Sequence, residues 1–262
     1  MHHETRHLYV WNRVLLQLAP GVLNSRHRHF GAFLLMAPDA PIHIDLDHHP
    51  TVTTQAAVIG PNAWHRLDSR NSRVATLLIG ADDPWFGYVL PLLQGNSIRA
   101  LDYERVQRTC EWDRLFAGDF DSEEARAHIE VMLAALIDAS FQPYQLDPRI
   151  ADAVDALNDD EVLLTNLAAL AARTDLSAIT FMRHFKRQLG VRIREYALWR
   201  RLLRAVPMFN GSRSLTEIAQ LAGFYDQAHL TRTARRMFDL QPSNLYGPSR
   251  TIVHASKNSR SL

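Results

Sequence analysis

Three sets of residues in this sequence have types and spacings suited to chemistry. In Ser25-Arg26-His27-Arg28-His29 two histidines stand one residue apart, and His65 follows in Asn62-Ala63-Trp64-His65. Strand alternation puts both imidazoles of such a pair on one face, and a third histidine would complete a set suited to zinc or another divalent ion. Cys110, the single cysteine, could act as a nucleophile only with a lowered pKa, and its neighbour Glu111 pushes the other way. Two polar and basic clusters near the C-terminal end complete the set. One holds Ser177, Ile179, Thr180, Met182 and Arg183 with Lys186 and Arg187, the other Gln227, Ala228, Thr231 and Arg232 with Arg235 and Arg236. These types suit duplex DNA: arginine can bind guanine through two hydrogen bonds, glutamine can pair with adenine, and Ile or Met can touch a thymine methyl. Lys186, Arg187, Arg235 and Arg236 suit phosphate, which adds salt-sensitive affinity without sequence information. For Arg183 and Arg232 a phosphate contact or an intramolecular ion pair is the alternative role.

An internal repeat positions the two DNA-suited clusters. Leu167, Leu170, Ala171 and Leu176 recur 48 residues later as Leu215, Ile218, Ala219 and Phe224. Each set reads as a helix, a turn and a second helix, spanning about 167–188 and 215–238. Leu170 and Ile218 fall on the buried side of the first helix, and Ala171 and Ala219 lie where the second helix crosses closest. Leu176 and Phe224 plug the turn. Ser177 and Asp226 cap the second helix, and Phe181, Phe185 and Leu230 bury its inner face. A lone motif of this kind is weak evidence, because any α-hairpin imitates it; two in tandem are far more specific. The charge agrees. Residues 1–144 carry a net −5 and residues 177–262 a net +11, concealed within a total of +1. An acidic part beside a strongly basic one fits a regulatory domain joined to a polyanion-binding one.

The N-terminal part reads differently. Val14–Leu18, Ala32–Met36, Ile42–Leu46, Ala56–Ile59 and Val74–Ile79 are short apolar or alternating runs separated by turn formers, which suggests a sandwich or small barrel. A weak helical pattern follows over 97–116. A stronger one begins near Asp121-Ser122, with Ala125, Ile129, Met132, Leu133, Leu136 and Ile137 on one face. These helices either cover the barrel or make a homodimer contact. Phe141-Gln142-Pro143-Tyr144 marks the domain boundary, dividing the chain into 1–144 and 145–262, and Asp147-Pro148 reads as an N-cap with proline at the first helical position.

The repeat resembles the AraC/XylS family of regulators from Leu164 to Tyr246. The resemblance lies in Ser177 through Phe185-Lys186-Arg187-Gln188-Leu189-Gly190, Ile218-Ala219, Gly223-Phe224, His229-Leu230-Thr231-Arg232 and Gln241-Pro242-Ser243. It implies a long joining helix over Ile193 to Phe209 and recognition helices that enter successive major grooves on one face of the duplex. Three departures stand out: Ala234 replaces a large aromatic, Asp239 replaces a glycine, and Pro207 lies within the joining helix, where it would bend or end it. The N-terminal half is similar to the cupin-type barrels many such regulators carry. Metal-binding cupins offer a carboxylate shortly after the H-x-H pair, however, and Phe33 and Leu34 stand there instead. The expected fold is therefore α+β in two domains, a cupin-like small β-barrel with flanking helices and an all-α double helix-turn-helix.

Rival readings predict other things. A cupin dioxygenase or isomerase would hold Fe, Mn or Zn on His27, His29 and His65, and the missing carboxylate argues against it. A DNA-repair alkyl acceptor needs an activated thiolate, which Cys110 does not suit. A helical bundle without DNA binding leaves the basic clusters without a purpose. Neither a Gly-rich phosphate loop nor a nucleophile-elbow serine is present. No apolar run approaches the roughly 18 residues of a membrane span, and no basic stretch with an apolar core opens the chain. A lone cysteine fits a reducing cytoplasm. The expectation is a cytoplasmic, non-enzymatic regulator without a cofactor. Its partners would be double-stranded DNA, a small-molecule effector, a second copy of the chain, and RNA polymerase if it activates.

Overall fold

The computed structural model describes residues 5–11, 13–47, 49–137, 145–159, 167–209, 212–238, 242 and 251–255. The apolar runs become strands: β1 (Arg6–Trp11), β2 (Val14–Ala19), β3 (Ala32–Met36), β4 (Ile42–Leu46), β5 (Val52–Thr54), β6 (Ala56–Ile59), β7 (His65–Asp68), β8 (Val74–Ile79) and β9 (Ile98–Ala100). They make two sheets. The larger has the order β10-β1-β2-β8-β3-β6-β9, where β10 is Thr251–Ala255, and the smaller has the order β5-β4-β7. Strands β3, β6 and β8 are apolar along nearly their whole length because both of their faces are covered. In β4 the residues alternate: Ile42, Ile44 and Leu46 point into the core while His43 faces solvent. The two sheets share one core, which Ile44 and Leu67 enter from the smaller sheet and Leu16, Leu34 and Leu77 from the larger. Burying one such leucine or isoleucine contributes about 1.5–3 kcal/mol. Between the sheets, His27 and His65 form an isolated antiparallel bridge, each amide donating to the other's carbonyl at 3.0 Å.

The helical pattern over 97–116 resolves into strand β9 and two short helices, α2 (Glu104–Gln107) and α3 (Trp112–Ala117), preceded by α1 (Pro84–Val89). Helix α4 (Ser122–Leu136) starts where expected, with Asp121 and Glu124 forming a reciprocal cap, and it buries Ala125, Ile129, Met132, Leu133 and Leu136. The segment Phe141 to Tyr144, read as the domain boundary, lies outside the described residues.

Beyond it come α5 (Pro148–Asp159), α6 (Leu167–Ala172), α7 (Ala178–Leu189), α8 (Ile193–Ala205), α9 (Leu215–Leu221) and α10 (Gln227–Phe238). Asp147 accepts from the Arg149 amide at 3.0 Å and so caps α5, ahead of Pro148. Pro207 ends the joining helix as its missing N–H requires: α8 stops at Ala205 and Val206–Met208 form a 3-10 turn. The chain then returns to the sheet, where β10 lies parallel to β1 and places His254 beside Tyr9. Sequence reading left this strand unassigned. The departure at Asp239 and the resemblance at Gln241, Ser243 and Tyr246 lie outside the described residues.

Candidate nucleic-acid interface

Each repeat folds as a helix-turn-helix, α6 with α7 and α9 with α10. The apolar assignments hold. Leu170, Ala171, Ile218, Ala219, Phe181, Phe185, Leu230 and Phe224 are buried, and Leu176 is half-buried in its turn. The Ser177 hydroxyl accepts from the Thr180 amide, and an Asp226 carboxylate oxygen accepts from the His229 amide at 2.6 Å, so both second helices carry the expected cap. Ser214 and Glu217 add a reciprocal cap to α9. In each turn one residue takes the left-handed conformation, Asp175 at φ 54° and Gly223 at φ 79°. Aspartate tolerates that region better than most residues, and glycine enters it without strain.

The two units differ by one residue. Their first helices correspond at an offset of 48, but the caps, Ser177 and Asp226, stand 49 apart. From there the helices run in register: Phe181 with Leu230, Met182 with Thr231, Arg183 with Arg232, Phe185 with Ala234, Lys186 with Arg235 and Arg187 with Arg236. The additional residue in the second turn is Tyr225, which is 90% exposed. Sequence reading placed it in the repeat and assigned it no role. The signal for it was the shift from 48 to 49, visible only once caps rather than apolar residues are matched.

The surface left outside the core contains the residues singled out above. Ile179 is 76% and Met182 39% exposed. Ser177, Arg183, Lys186, Arg187, Gln227, Ala228, Arg232, Arg235 and Arg236 are also exposed, and Thr180 and Thr231 are half-exposed. Among the described residues neither Arg183 nor Arg232 makes a salt bridge.

Helix α8 joins the units and is anchored to the sheet domain. The Asp82 carboxylate is fully buried and accepts from the Tyr196 hydroxyl at 2.6 Å. Arg13 lies 3.4 Å and Arg200 3.7 Å from the same oxygen. Burial, and then the charge of Asp82, hold the Tyr196 hydroxyl well above the ordinary tyrosine range, so it stays a donor. Three contacts flank this anchor. The Asn62 amide donates to the Gly190 carbonyl at 2.6 Å, Arg28 meets Glu195 at 3.4 Å, and the main chain of Met237 in α10 hydrogen-bonds His29. The segments carrying the histidine cluster thus meet the C-terminal ends of α7 and α10.

The cluster itself forms. His27, His29 and His65 are buried, with one ring nitrogen from each lying within 4.8 Å of the others. Phe33, where a cupin carboxylate would stand, stacks on His29 at 4.6 Å between ring centres. Burial holds His29 well below the usual histidine range and His65 at about 4, with neighbouring imidazoles adding to both. Cys110 is buried as well. Burial, and then Glu111, push its thiol up to about 12, which leaves no thiolate for alkyl transfer.

The comparisons agree with this architecture. The sequence matches the family described as "Helix-turn-helix domain" over residues 170–246. A search of curated proteins gave no match. The fold is similar to that of ToxT from Vibrio cholerae. An apo point variant from strain SCE256 has a TM-score of 0.53 at 12% identity, covering 90% of this chain and 97% of that one. The protein of strain O395 gives 0.54 at 10% identity, covering 88% and 95%. A third structure, wild-type ToxT bound to an unsaturated fatty acid, gives 0.51 at 12% identity, covering 90% and 95%. No helix among the described residues is long and apolar enough to cross a membrane. With two capped helix-turn-helix units in tandem behind a sheet domain, the chain carries a helix-turn-helix domain of the matched family over residues 170–246 and has a fold similar to that of ToxT.

Proposed function

We propose that the chain is a DNA-binding transcription regulator of the AraC/XylS family, that α7 and α10 are its recognition helices, and that the sheet domain controls them through a small-molecule effector. The observation that carries the reading is the register of the two units. Position by position, Arg183 and Arg232 stand on equivalent exposed faces, followed by the equivalent cation pairs Lys186-Arg187 and Arg235-Arg236. In this reading Ile179, Thr180, Met182 and Arg183 face bases in one half of the operator, and Gln227, Ala228, Thr231 and Arg232 in the other. Ser177 approaches the backbone at the start of α7, and the following cations grip phosphate. Control by an effector draws support from the contacts that tie the sheet domain to α7, α8 and α10, and from the fatty acid bound in one ToxT structure. A homodimer, and contact with RNA polymerase if the protein activates, belong to the same proposal, as does a cytoplasmic location.

The test is fluorescence anisotropy of the full-length protein on DNA from upstream of its own gene against scrambled duplex, over a salt series, beside an Arg183→Ala, Arg232→Ala double variant. Wild type is expected to prefer the native DNA. Each lost bidentate contact removes about 1–3 kcal/mol of discrimination, roughly 5- to 150-fold, while the steep salt dependence of the variant persists. If wild type fails to bind any duplex at low salt, the reading fails. If the variant retains full preference, these two arginines are not the base readers.

A further inference from the structure

We propose that His27, His29 and His65 form a binding site for a divalent transition-metal ion of the zinc class, placed where the sheet domain meets the recognition helices. The three rings come from two segments locked together by the paired main-chain hydrogen bonds between His27 and His65. The Nδ1 of His27 lies 2.9 Å from the Ser25 carbonyl, and the Nδ1 of His65 lies 3.0 Å from the Ala63 carbonyl. A carbonyl only accepts, so both rings carry their proton on Nδ1 and direct the lone pair of Nε2 inward. Metal-bound histidines are held in this way, one nitrogen donating to a carbonyl and the other free for the ion.

The inward nitrogens converge. Nε2 of His27 lies 3.1 Å from Nε2 of His29, and the three candidate ligand atoms fall within 4.8 Å of one another. Nitrogens sharing one tetrahedral zinc at about 2.0–2.1 Å stand about 3.4 Å apart, so a small ring rotation of His65 closes the set. A hydrogen bond between His27 and His29 uses one proton, and among the described residues Nε2 of His65 is buried without a hydrogen-bond partner. A buried acceptor left this way costs about 1–3 kcal/mol, and an ion on all three nitrogens would remove that cost. Three imidazoles select for Zn, Cu, Ni or Fe over Mg or Ca, and a fourth position is left for water or a small ligand. Phe33 on His29 makes the surroundings apolar.

The full-length protein, stripped with chelator and returned to buffer, is titrated with Co²⁺ and then Zn²⁺. One equivalent of Co²⁺ per chain is expected, with visible bands of a low-coordinate nitrogen site that Zn²⁺ abolishes. His27→Gln and His65→Gln should each weaken Co²⁺ binding by roughly 100-fold or more, because loss of outer-shell partners alone costs about 10–100-fold. His43→Gln, on the solvent face of β4, should bind as wild type. If these ligand variants do not fold, the wild-type Co²⁺ complex is read by NMR, where the shifted imidazole N–H signals should include those of His27 and His65. The proposal is overturned by wild type that binds no Co²⁺, by folded ligand variants that bind it unchanged, or by shifted signals from other histidines.

Discussion

The two helix-turn-helix units share a backbone plan and differ in what fills and surrounds it. In the first, Phe181 and Phe185 occupy the inner face of α7, and Phe185 meets Tyr196 of α8 edge-on at 5.5 Å between ring centres. In the second, the equivalent positions hold Leu230 and Ala234, both buried. Outside, the first unit presents Ile179 and Met182, and the second presents Gln227, Thr231 and the inserted Tyr225. Duplication thus conserves the burial pattern and the cap while leaving the outward face open to change. The inner face of each second helix is set by packing, and its outer face is free of that constraint.

The largest effect expected from breaking this comparison is at Phe185. Phe185→Ala removes a fully buried ring and should cost about 3–5 kcal/mol in denaturant unfolding. Ala234→Phe, which would give the second unit the larger side chain of the first, overfills a closed site and should cost about 1–3 kcal/mol. A stabilised Ala234→Phe would mean that the second unit holds unfilled space.

The turns come next. Gly223→Ala puts a Cβ on a left-handed residue and should cost about 1–2 kcal/mol. At the equivalent position Asp175→Gly exchanges mild strain for greater chain entropy, so unfolding should shift by less than about 0.5 kcal/mol. Thermal melts of both variants would expose the asymmetry, and similar losses in the two would contradict it.

Much of this arrangement was legible in the sequence because it rests on local patterns. Helix caps, apolar spacing and Pro207 act within a few residues, so both motifs and the end of α8 were readable. So were the strands with continuous apolar runs, such as Ala32–Met36 and Val74–Ile79. The strands missed are those whose identity depends on partners. In β7, His65-Arg66-Leu67-Asp68 offers a single large apolar residue and pairs with β4 only because the sheet brings them together. In β10, Thr251–Ala255 is β-prone, but its partner β1 lies at the other end of the chain. The domain anchor was missed for the same reason, since nothing near Asp82 in sequence announces Tyr196 or Arg200. The histidine cluster lay between these cases. His27 and His29 were a readable pair, but the approach of His65 is tertiary.

Tyr225 tests whether the inserted residue matters. Its ring is exposed immediately before the cap of α10, where a hydroxyl can reach a phosphate or the ring can lie along the backbone. Tyr225→Ala should weaken duplex binding by about 0.5–1.5 kcal/mol, roughly 2- to 12-fold, to native and scrambled DNA alike. A loss confined to native DNA would make Tyr225 a base reader, and no loss would leave it outside the interface.

The smallest expected effect concerns His229, which stands in register with Thr180 and so gives the second unit a titratable group where the first has none. Its ring packs edge-on against Phe224, 5.3 Å between centres. Partial burial, followed by the charges of Arg232 and Arg201, lowers its pKa, with Arg236 adding to this and Asp226 opposing it. A histidine with a lowered folded-state pKa binds protons more readily in the unfolded chain, so its share of stability is complete above the ordinary value of about 6.5 and is lost as pH falls below it. The measurement is chemical unfolding of wild type and His229→Gln between pH 8 and 5. Subtracting the two curves cancels the other histidines. The difference should be flat above about pH 7.5 and should then move against wild type on acidification. A difference that favoured wild type at low pH would mean that Asp226 outweighs the arginines, making the second unit a site stabilised by protonation.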